Sequence, residues 1–561
     1  MLWRRREINR QITRAMWVLP LLVTGVAHAE SATATGMALT AQNVIVDFKL
    51  LPSGGQDEAA IIQLLRARSQ QLGAAPKTLA DVNLWSDQLT DALRQGGFPI
   101  GQVLMTDSDW KAAQQSAQAR FTVFPGRISQ IEIQNKSRVA DSRLRKVITH
   151  ALCGSDTLPG ACYLKTSRLE RSTQLLQDLP GVALDTAPQF GPGAGVGDVK
   201  VVVGVVQKGK PVSANLILDN QGVPSTGEYR MGMSVSANNY FGAGESYAFT
   251  LTGTDKKMWT GELDASVPIL NDGLRLTGGI SRQQYTTNTV TPMVGVATTA
   301  SGGLLYPFAR GLDANVWGGV SYLHSQTSTD MKEYGVSTHS KIDSLRFSAQ
   351  ADNGDRAQQL RTNILSGQGA LTLGHQSNDF PYGTNTEANP AGNYAKLSGT
   401  GYGTYALTRS GNLFLSGRVN AQVANRNLDP SEKLAAGGPN AVRAYRSDEV
   451  SFNDGVIVNA GLYQRVPVAS GHQLQFGIFS DYAVGRINHT PWQGWDQSYP
   501  GVSDVTNTRT LAGYGASIDW LTPIGATVSA SVSKPYGFSS PSWVEPGKKP
   551  LQYWLSVTWN H

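Results

Sequence analysis

The stretch WTGELDASVPI, residues 259–269, alternates between apolar or small residues at odd positions and polar residues at even positions up to Ser266. LDANVWGGVSY (312–322) and LFLSGRVNAQV (413–423) show the same period of two. A strand with this pattern has one apolar and one polar face. Soluble sandwiches use strands of about 5 or 6 residues, whereas membrane barrels need about 9 to 11. The length of these segments therefore favours a transmembrane β-barrel.

Sixteen such segments follow one another between residue 211 and the C-terminus, which predicts a barrel over 211–561. They lie near residues 212–221, 227–240, 244–254, 258–270, 273–285, 297–309, 312–326, 340–353, 360–376, 393–407, 411–425, 454–468, 472–487, 508–521, 525–535 and 552–561. Bacterial outer-membrane barrels have an even number of antiparallel strands, and sixteen satisfies this. The last segment, YWLSVTWNH, resembles the signal by which such barrels are recognised for assembly, with His561 where a Phe is common.

The connections between the segments mostly alternate in length. From the fourth strand onward NDG, FARG, TRSG, ASG and TPIG are short turns, while residues 377–392 and 488–507 are long polar loops. Short periplasmic turns opposite long external loops are typical of outer-membrane barrels. The pattern therefore predicts that the barrel begins in the periplasm.

The N-terminus predicts export. Five arginines precede the apolar run AMWVLPLLVTGVA, and Ala27-His28-Ala29 is a small-x-small motif. We interpret residues 1–29 as a secretory signal peptide rather than as a membrane anchor, because the apolar run is short. Most of the formal net charge of +6 belongs to this segment. The charge therefore gives no reason to expect nucleic-acid binding.

Cys153 and Cys162 are the only cysteines of the chain. In an exported protein such a close pair predicts a disulfide that closes a small loop. A metal site would need more ligands than His150, the nearest histidine, and we expect no metal.

Residues 43–208 show two copies of one predicted β-α-α-β-β pattern, and a Gly-Lys-Pro hinge within 207–211 separates them from the barrel. In each copy the second predicted helix is followed by glycine, in RQGGF and in DLPGV. This order resembles POTRA domains, the periplasmic modules of one superfamily of outer-membrane transporters. The prediction is POTRA 1 at 43–127 and POTRA 2 at 128–208. Two unrelated α+β domains are the alternative.

The stretch GGPNAVRAYRSDE, residues 437–449, lies in a long external connection, 426–453, after the eleventh strand. On the thirteenth strand, LQFGIFSDYAVG, the alternation turns Asp481 toward the lumen. If the loop folds inward, Arg443 can form a charge-assisted contact with Asp481. Instead of contacting Asp481, Arg443 could be an ordinary solvated loop arginine. Instead of packing against the barrel wall, Val442 and Tyr445 could pack only within the loop.

Two motifs support the inward loop by resemblance. Val442, Arg443, Ala444 and Tyr445 resemble the VRG(Y/F) loop motif of TpsB transporters, the outer-membrane half of two-partner secretion systems. Phe479 and Asp481, followed by Gly485, resemble the F-x-D-x-G motif on the thirteenth strand of that family. Ala444 replaces the usual glycine, and Ala483 stands where the second motif has glycine. Since alanine resists φ > 0, a somewhat different turn is expected at the loop tip.

The resemblance implies a function without covalent chemistry. In the family the loop enters the pore, its arginine contacts the strand-13 aspartate, and periplasmic POTRA domains receive an unfolded secreted partner. We therefore expect a large TpsA-type passenger of the β-helical adhesin or haemolysin kind, which passes through the barrel to the cell surface. Outer-membrane lipids, lipopolysaccharide and the barrel-assembly machinery are the other expected partners, and no cofactor is expected.

Family members often carry a long helix that threads the barrel. The short segment 30–42 leaves too few residues for such a helix and its linker, and we expect none. Three alternatives remain: a factor that assembles other barrels, a passive porin, and an exported enzyme on a barrel. The chain has no P-loop, HExxH or GxSxG motif, which argues against the enzyme.

Overall fold

The computed structural model describes residues 45–560, except 74, 117, 288–291, 360–362, 380–387, 499–505 and 538–549. The expected signal peptide (1–29), the segment 30–42 with its predicted lack of a long helix, and His561 lie outside the described residues. The chain divides into two compact units, with the boundary between Lys208 and Gly209.

The first unit contains two small sheets, each covered by helices. The first half consists of β1 (Ile45–Leu50), α1 (Glu58–Ser69), α2 (Leu79–Gln95), β2 (Gln102–Leu104), α3 (Asp107–Ser116) and β3 (Gln118–Phe124). The second half consists of β4 (Arg127–Lys136), α4 (Asp141–Cys153), α5 (Thr166–Gln177), β5 (Val182–Leu184), β6 (Gln189–Pro192) and β7 (Asp198–Gln207). In the first sheet β3 lies between β1, which is parallel to it, and β2, which is antiparallel. In the second sheet β7 pairs with β4 in parallel and with β5 and β6 in antiparallel orientation.

Capping residues mark the starts and ends of several of these helices. Thr78 and Asp81 form a capping box at the start of α2, and Gly96 follows its last residue. Gly154, with φ of 72°, ends α4 in the left-handed conformation. In the second copy α5 ends at Gln177, three residues before the proline that precedes Gly181. Apolar side chains of the helices then cover the sheets, and each half has its own buried cluster.

The predicted β-α-α-β-β order misses two details. In the first copy α3 intervenes between β2 and β3; Thr106 accepts a hydrogen bond from the backbone N–H of Asp109 at 3.1 Å, which caps this helix. The stretch TDSDWKAAQQS carries this capping signal, and the sequence interpretation did not use it. In the second copy the predicted single strand VALDTAPQF is two short strands, β5 and β6, separated by a turn.

A disulfide joins Cys153, the last residue of α4, to Cys162, and both cysteines are buried. The next residue, Tyr163, packs into the buried cluster of the first half, and its hydroxyl donates to the carbonyl of Pro52 at 2.5 Å. Arg168 and Lys165 of the second half form ion pairs with Asp57 of the first half. The segment that follows the disulfide-closed loop therefore carries residues that hold the two halves of this unit together.

The second unit is a closed barrel of sixteen antiparallel strands, as predicted. The strands are β8 (Val212–Asp219), β9 (Arg230–Asn238), β10 (Ser246–Thr254), β11 (Trp259–Pro268), β12 (Arg275–Thr286), β13 (Val294–Arg310), β14 (Asn315–Met331), β15 (Val336–Asp352), β16 (Ile364–Asn378), β17 (Gly392–Ala406), β18 (Leu413–Ala424), β21 (Asp454–Pro467), β22 (Gln473–Arg486), β23 (Thr508–Leu521), β24 (Ala526–Pro535) and β25 (Gln552–Asn560). The connections contain β19 (Leu434–Ala435), β20 (Ser451–Phe452), α6 (Gly354–Gln359) and the 3₁₀ turns Lys332–Tyr334, Pro430–Glu432, Ala469–Gly471 and Trp495–Ser498. All sixteen strands overlap the segments predicted from alternation.

The side-chain alternation gives the barrel an apolar outer face. Leu263 of β11, Leu415 of β18 and Ile478 of β22 are exposed on that face, while Asp481 of β22 is buried on the inner face. The barrel closes through five residue pairs between β25 and β8. Among the described helices, none is long and apolar enough to cross a membrane.

We predict a pH-dependent stability for the first unit from Arg127 and Asp198, at the starts of β4 and β7. The inaccessible Asp198 carboxylate accepts from Arg127 Nε and Nη2, both at 2.6 Å, and this contact lowers its pKa. A depressed pKa in the folded state adds stability that is fully present above the unfolded-state pKa of about 3.9 and is lost as the pH falls through the folded-state value.

Urea unfolding of a 45–208 fragment, followed by circular dichroism, measures this effect. Between pH 5 and pH 3 the parent fragment loses stability more steeply than Asp198→Asn, which is itself destabilised by about 1–3 kcal/mol at pH 7. Asp185→Asn, which breaks an exposed ion pair with Lys136, is the control and leaves the steep loss unchanged. Equal pH slopes for the parent and Asp198→Asn would contradict the prediction.

Candidate functional site

The connection between β18 and β21 folds into the barrel. Within it Val442, Tyr445 and Phe452 have no exposed surface and form a buried cluster with wall residues that include Ile457 and Leu511. The only regular elements of this connection are one 3₁₀ turn and the two-residue pair β19–β20. The connection is therefore held by packing and by side-chain contacts with the wall.

Arg443 and Asp481 form a bidentate ion pair inside the barrel. Arg443 Nε donates to Asp481 Oδ2 at 2.8 Å, and Nη2 donates to Oδ1 at 2.7 Å. The backbone N–H of Arg443 also donates to Oδ2, at 3.1 Å. The Asp481 side chain is 0% exposed and that of Arg443 is 15% exposed. Because an unpaired buried charge is costly, each side chain depends on the other.

Two neighbours fix this pair on the wall. The guanidinium carbon of Arg443 lies 3.3 Å from the ring centroid of Phe479, so the cation rests on the aromatic face. Asn459, directly opposite Asp481 in the β21–β22 register, donates to Asp481 Oδ1 at 2.8 Å and to the carbonyl of Ala441 at 2.7 Å. Asn459 therefore holds both the carboxylate and the loop backbone.

The carbonyl of Arg443 is bound by residues of two further strands of the same wall. Ser533 Oγ of β24 and Trp554 Nε1 of β25 each donate to it at 2.7 Å. Sequence reasoning missed Asn459, Ser533 and Trp554. Trp554 did give a signal, since it is an aromatic residue on the otherwise polar face of the last strand.

Ala444 packs against Gly513 of β23. A Cβ atom added at Gly513 would lie 2.4 Å from the Cβ of Ala444, so glycine is required for this close approach. Among the described residues the non-glycine residues with positive φ are Asn239, Lys257 and Ser470. Ala444 therefore does not adopt a left-handed conformation.

Gly485 and Ala483 lie next to other parts of the loop than the Arg443–Asp481 pair. A Cβ atom at Gly485 would lie 2.5 Å from Cδ2 of Phe452, so Gly485 makes room for the end of the loop. Ala483 has no exposed surface and belongs to the buried cluster around Tyr445. The structure thus brings Phe479 and Asp481 to Arg443, and places Gly485 at the loop stem.

The loop stem is fastened separately from its tip. The Asn453 amide is buried, donates to the carbonyl of Ile487 at 2.7 Å and accepts from the backbone N–H of Leu428 at 2.7 Å. Gln376 donates to Asp429 Oδ2 at 2.7 Å, and Lys396 pairs with Glu432. Among the described residues, no group of three or more His, Cys, Asp or Glu side chains is arranged to hold a metal ion.

The chain matches the family model described as "Haemolysin secretion/activation protein ShlB/FhaC/HecB" over residues 197–503, more than half of its length. It is 20% identical over 489 residues to the heme/hemopexin transporter protein HuxB of Haemophilus influenzae (strain 86-028NP), which covers 86% of this chain and 81% of that protein. Two solved structures are similar in fold. CdiB from Escherichia coli has a TM-score of 0.72 and 17% identity, covering 98% of this chain and 96% of that one. CdiB from Acinetobacter baumannii has a TM-score of 0.68 and 15% identity, covering 100% and 97%.

These similarities agree with the barrel and the preceding α/β unit, and they do not favour the alternative of a barrel-assembly factor. The chain belongs to the haemolysin secretion/activation family and is an outer-membrane transporter of the two-partner secretion type, which exports a TpsA-type partner protein.

Proposed function

We propose that the connection 426–453 is the gate of this transporter and that the Arg443–Asp481 pair holds the gate in its closed position. The observation that carries the proposal is the bidentate contact between a loop arginine and a fully buried wall carboxylate. Such a contact is directional and is made only when the loop tip is seated. When the pair separates, the tip can leave the lumen and an extended chain can pass.

The surroundings of the pair support a gate whose tip moves separately from its stem. The tip is bound on one side by Asn459 of β21 and on the other by Ser533 and Trp554, across five consecutive barrel strands. The stem is held by different residues around Asn453. The tip can therefore separate from the wall while the stem remains fastened.

We propose that residues 43–127 and 128–208 are two POTRA modules that receive the unfolded partner. Among the described strands, β4 pairs with β7, and beyond the bridge of Arg127 with Tyr163 at its start no further strand pairs with its other edge. An extended chain can add to such an edge as a further strand. This gives affinity through the main chain, which suits a partner that arrives unfolded.

Transport of this kind involves no covalent chemistry by the chain and no bound nucleotide. We propose that the partner is a large β-helical adhesin or haemolysin and that its folding at the cell surface drives passage. The exposed apolar face of the barrel, which includes Leu263 and Ile478, suits contact with outer-membrane lipids and lipopolysaccharide. The barrel-assembly machinery would insert this barrel through its C-terminal strand.

We predict that Arg443→Ala and Asp481→Ala each raise the permeability of the outer membrane to a bulky antibiotic such as vancomycin, because each removes the contact that holds the loop tip in its seated position. Removing one member of a buried pair leaves the other charge uncompensated, which costs about 3–5 kcal/mol. The double variant is therefore no worse than either single variant. The measurement uses cells that lack the native copy.

Asp448→Ala is the matched control, because Asp448 carries a charge on the same loop and its side chain is exposed. We expect this variant to keep the permeability of the parent. Heat-modifiable gel mobility checks that each barrel folds. If both folded single variants keep parental permeability, the gate proposal is wrong.

We predict that Gly513→Val opens the same gate without removing a charge. The added side chain would collide with Ala444, so the loop tip must move away from β23, at a cost of about 1–3 kcal/mol. Permeability rises in the same direction as in Arg443→Ala, but less. Gly401→Val is the control, because a Cβ atom added at Gly401 meets nothing within 4 Å. Equal permeability of the two variants would show that the packing of the tip against Gly513 does not hold the gate.

A further inference from the structure

The inward connection forms a second ion pair with the wall, between Glu449 of the loop and Arg509 of β23. Arg509 Nη2 lies 3.5 Å from Glu449 Oε1. The Glu449 side chain is 0% exposed and that of Arg509 is 16% exposed, so this pair is about as buried as the pair of Arg443 and Asp481. A carboxylate buried in this way is costly without a nearby cation, and Arg509 supplies one. The polarity is reversed, because here the loop supplies the carboxylate and the wall supplies the cation.

The two ion pairs lie at different heights in the barrel. Asp481 of β22 pairs with Gly513 of β23, whereas Arg509 pairs with Gly485, four residues further along β22. Four residues of a strand span about 13 Å. Because β22 begins after the short turn 468–472 and runs toward a long external connection, Arg509 lies on the external side of Asp481. The wall therefore presents an anion at the lower height and a cation nearer the cell surface.

The loop tip, residues 436–450, is a compact segment held together by its own backbone. The N–H of Ala436 donates to the carbonyl of Val450 at 2.9 Å, which joins the two ends of the segment. Further in, the N–H of Gly438 donates to the carbonyl of Tyr445 at 3.0 Å. Both loop charges lie within this segment, so their positions relative to one another are fixed when the tip forms.

A close approach inside the tip places Glu449. A Cβ atom added at Gly437 would lie 2.0 Å from the carbonyl oxygen of Arg446 and 3.0 Å from the Cβ of Glu449, so only glycine leaves room for this approach. The N–H of Glu449 donates to the carbonyl of Arg446 at 3.2 Å. The chain from 446 to 449 thus turns back onto Gly437, and the carboxylate is built into the fold of the tip.

Apolar side chains separate the two ion pairs. Leu511 lies between Arg509 and Gly513 on the inner face of β23. Leu511 and Tyr445 have no exposed surface and belong to one buried cluster. The two ion pairs are therefore separate points of attachment, one on each side of this apolar contact.

The reversed polarity makes the seated position of the tip specific. If the tip moved outward along the wall by four residues, Arg443 would face the cation Arg509. If it moved inward by the same distance, Glu449 would face the anion Asp481. Like charges in contact disfavour a wrong register, whereas two pairs of the same polarity would tolerate such a shift. The order of the charges therefore selects one height for the tip.

We propose that Glu449 and Arg509 are positioning residues of the gate: their ion pair fixes the height of the tip 436–450 in the barrel and so presents Arg443 to Asp481. The proposal rests on the proposed gate and adds a second point of attachment, formed by residues outside the two motifs of the loop and of β22. Loss of the Glu449–Arg509 pair loosens the tip even though Arg443 and Asp481 are unchanged.

The test measures how often the tip leaves the wall. The disulfide uses both cysteines of the protein, so one introduced cysteine gives a specific label. Ala441 is 5% exposed and its carbonyl accepts from Asn459, so Ala441→Cys is shielded while the tip is seated. Cells that make the full-length protein are treated with a membrane-impermeant maleimide. In this background Glu449→Gln and Arg509→Met, which remove the charge and keep the length of the side chain, raise the labelling rate at least about tenfold, the size of one hydrogen bond to a charged group.

Conservative and neighbouring variants separate the ion pair from a merely structural role. Arg509→Lys keeps the charge, and we expect its labelling rate to stay near that of the parent. Asp448→Asn is the matched control, because this neighbouring carboxylate is exposed, and it is expected to label like the parent. Heat-modifiable gel mobility checks that each barrel folds. Glu449→Gln leaves a cation that water can reach, so it provides the measurement even where Arg509→Met does not fold.

The double variant Glu449→Gln/Arg509→Met tests whether the two residues act as one pair. Since each single variant already breaks the contact, the double variant labels no faster than the faster single variant. Additive effects, or an Arg509→Lys variant that labels as fast as Arg509→Met, overturn the proposed pair.

Arg443→Ala in the same cysteine background distinguishes this inference from the gate proposal. If Arg443→Ala does not raise the labelling of Ala441→Cys, the gate proposal fails. If Arg443→Ala raises it while folded Glu449→Gln and Arg509→Met label at the parental rate, the gate stands and the inference about Glu449 and Arg509 is wrong.

Discussion

The buried pair of Arg443 and Asp481 is the interaction on which the arrangement of the lumen depends. A carboxylate with no exposed surface is stable in its charged form only if a cation and hydrogen-bond donors reach it. Here the donors are the arginine side chain, its own backbone N–H and Asn459. The Asp481 carboxylate therefore keeps its full set of hydrogen bonds only while the loop lies inside the barrel.

Glycine positions in the wall make this inward loop possible. Gly513 leaves room for Ala444, and Gly485 for Phe452. A barrel wall can dispense with these side chains because its stability comes from the continuous backbone ladder of sixteen strands, which leaves no sheet edge unpaired. The wall thus contributes space as well as contacts to the inward loop, and the loop needs little secondary structure of its own.

The tip and the stem of the loop are held by different kinds of interaction. The tip is bound by charge and by an aromatic face, whereas the stem around Asn453 is bound by neutral hydrogen bonds to backbone groups. A charged pair with a defined geometry can be replaced by competing contacts from a passing chain, while buried amide contacts are costly to leave unmade. This difference makes the tip suited to release from the wall and the stem suited to remain bound to it.

The sequence alone determined the sixteen strands, the direction of Asp481 and the pairing of Cys153 with Cys162, because alternation and cysteine count are local properties of the chain. The resemblance of short motifs added Arg443, Phe479 and their family. The sequence analysis did not predict helix α3, whose capping signal was overlooked. It also did not predict the roles of Asn459, Ser533, Trp554 and Gly513. Those residues lie on four separate strands and meet the loop only because the register of the closed barrel brings them to one height. Register and close approach are properties of the whole sheet, so only the tertiary structure decided them.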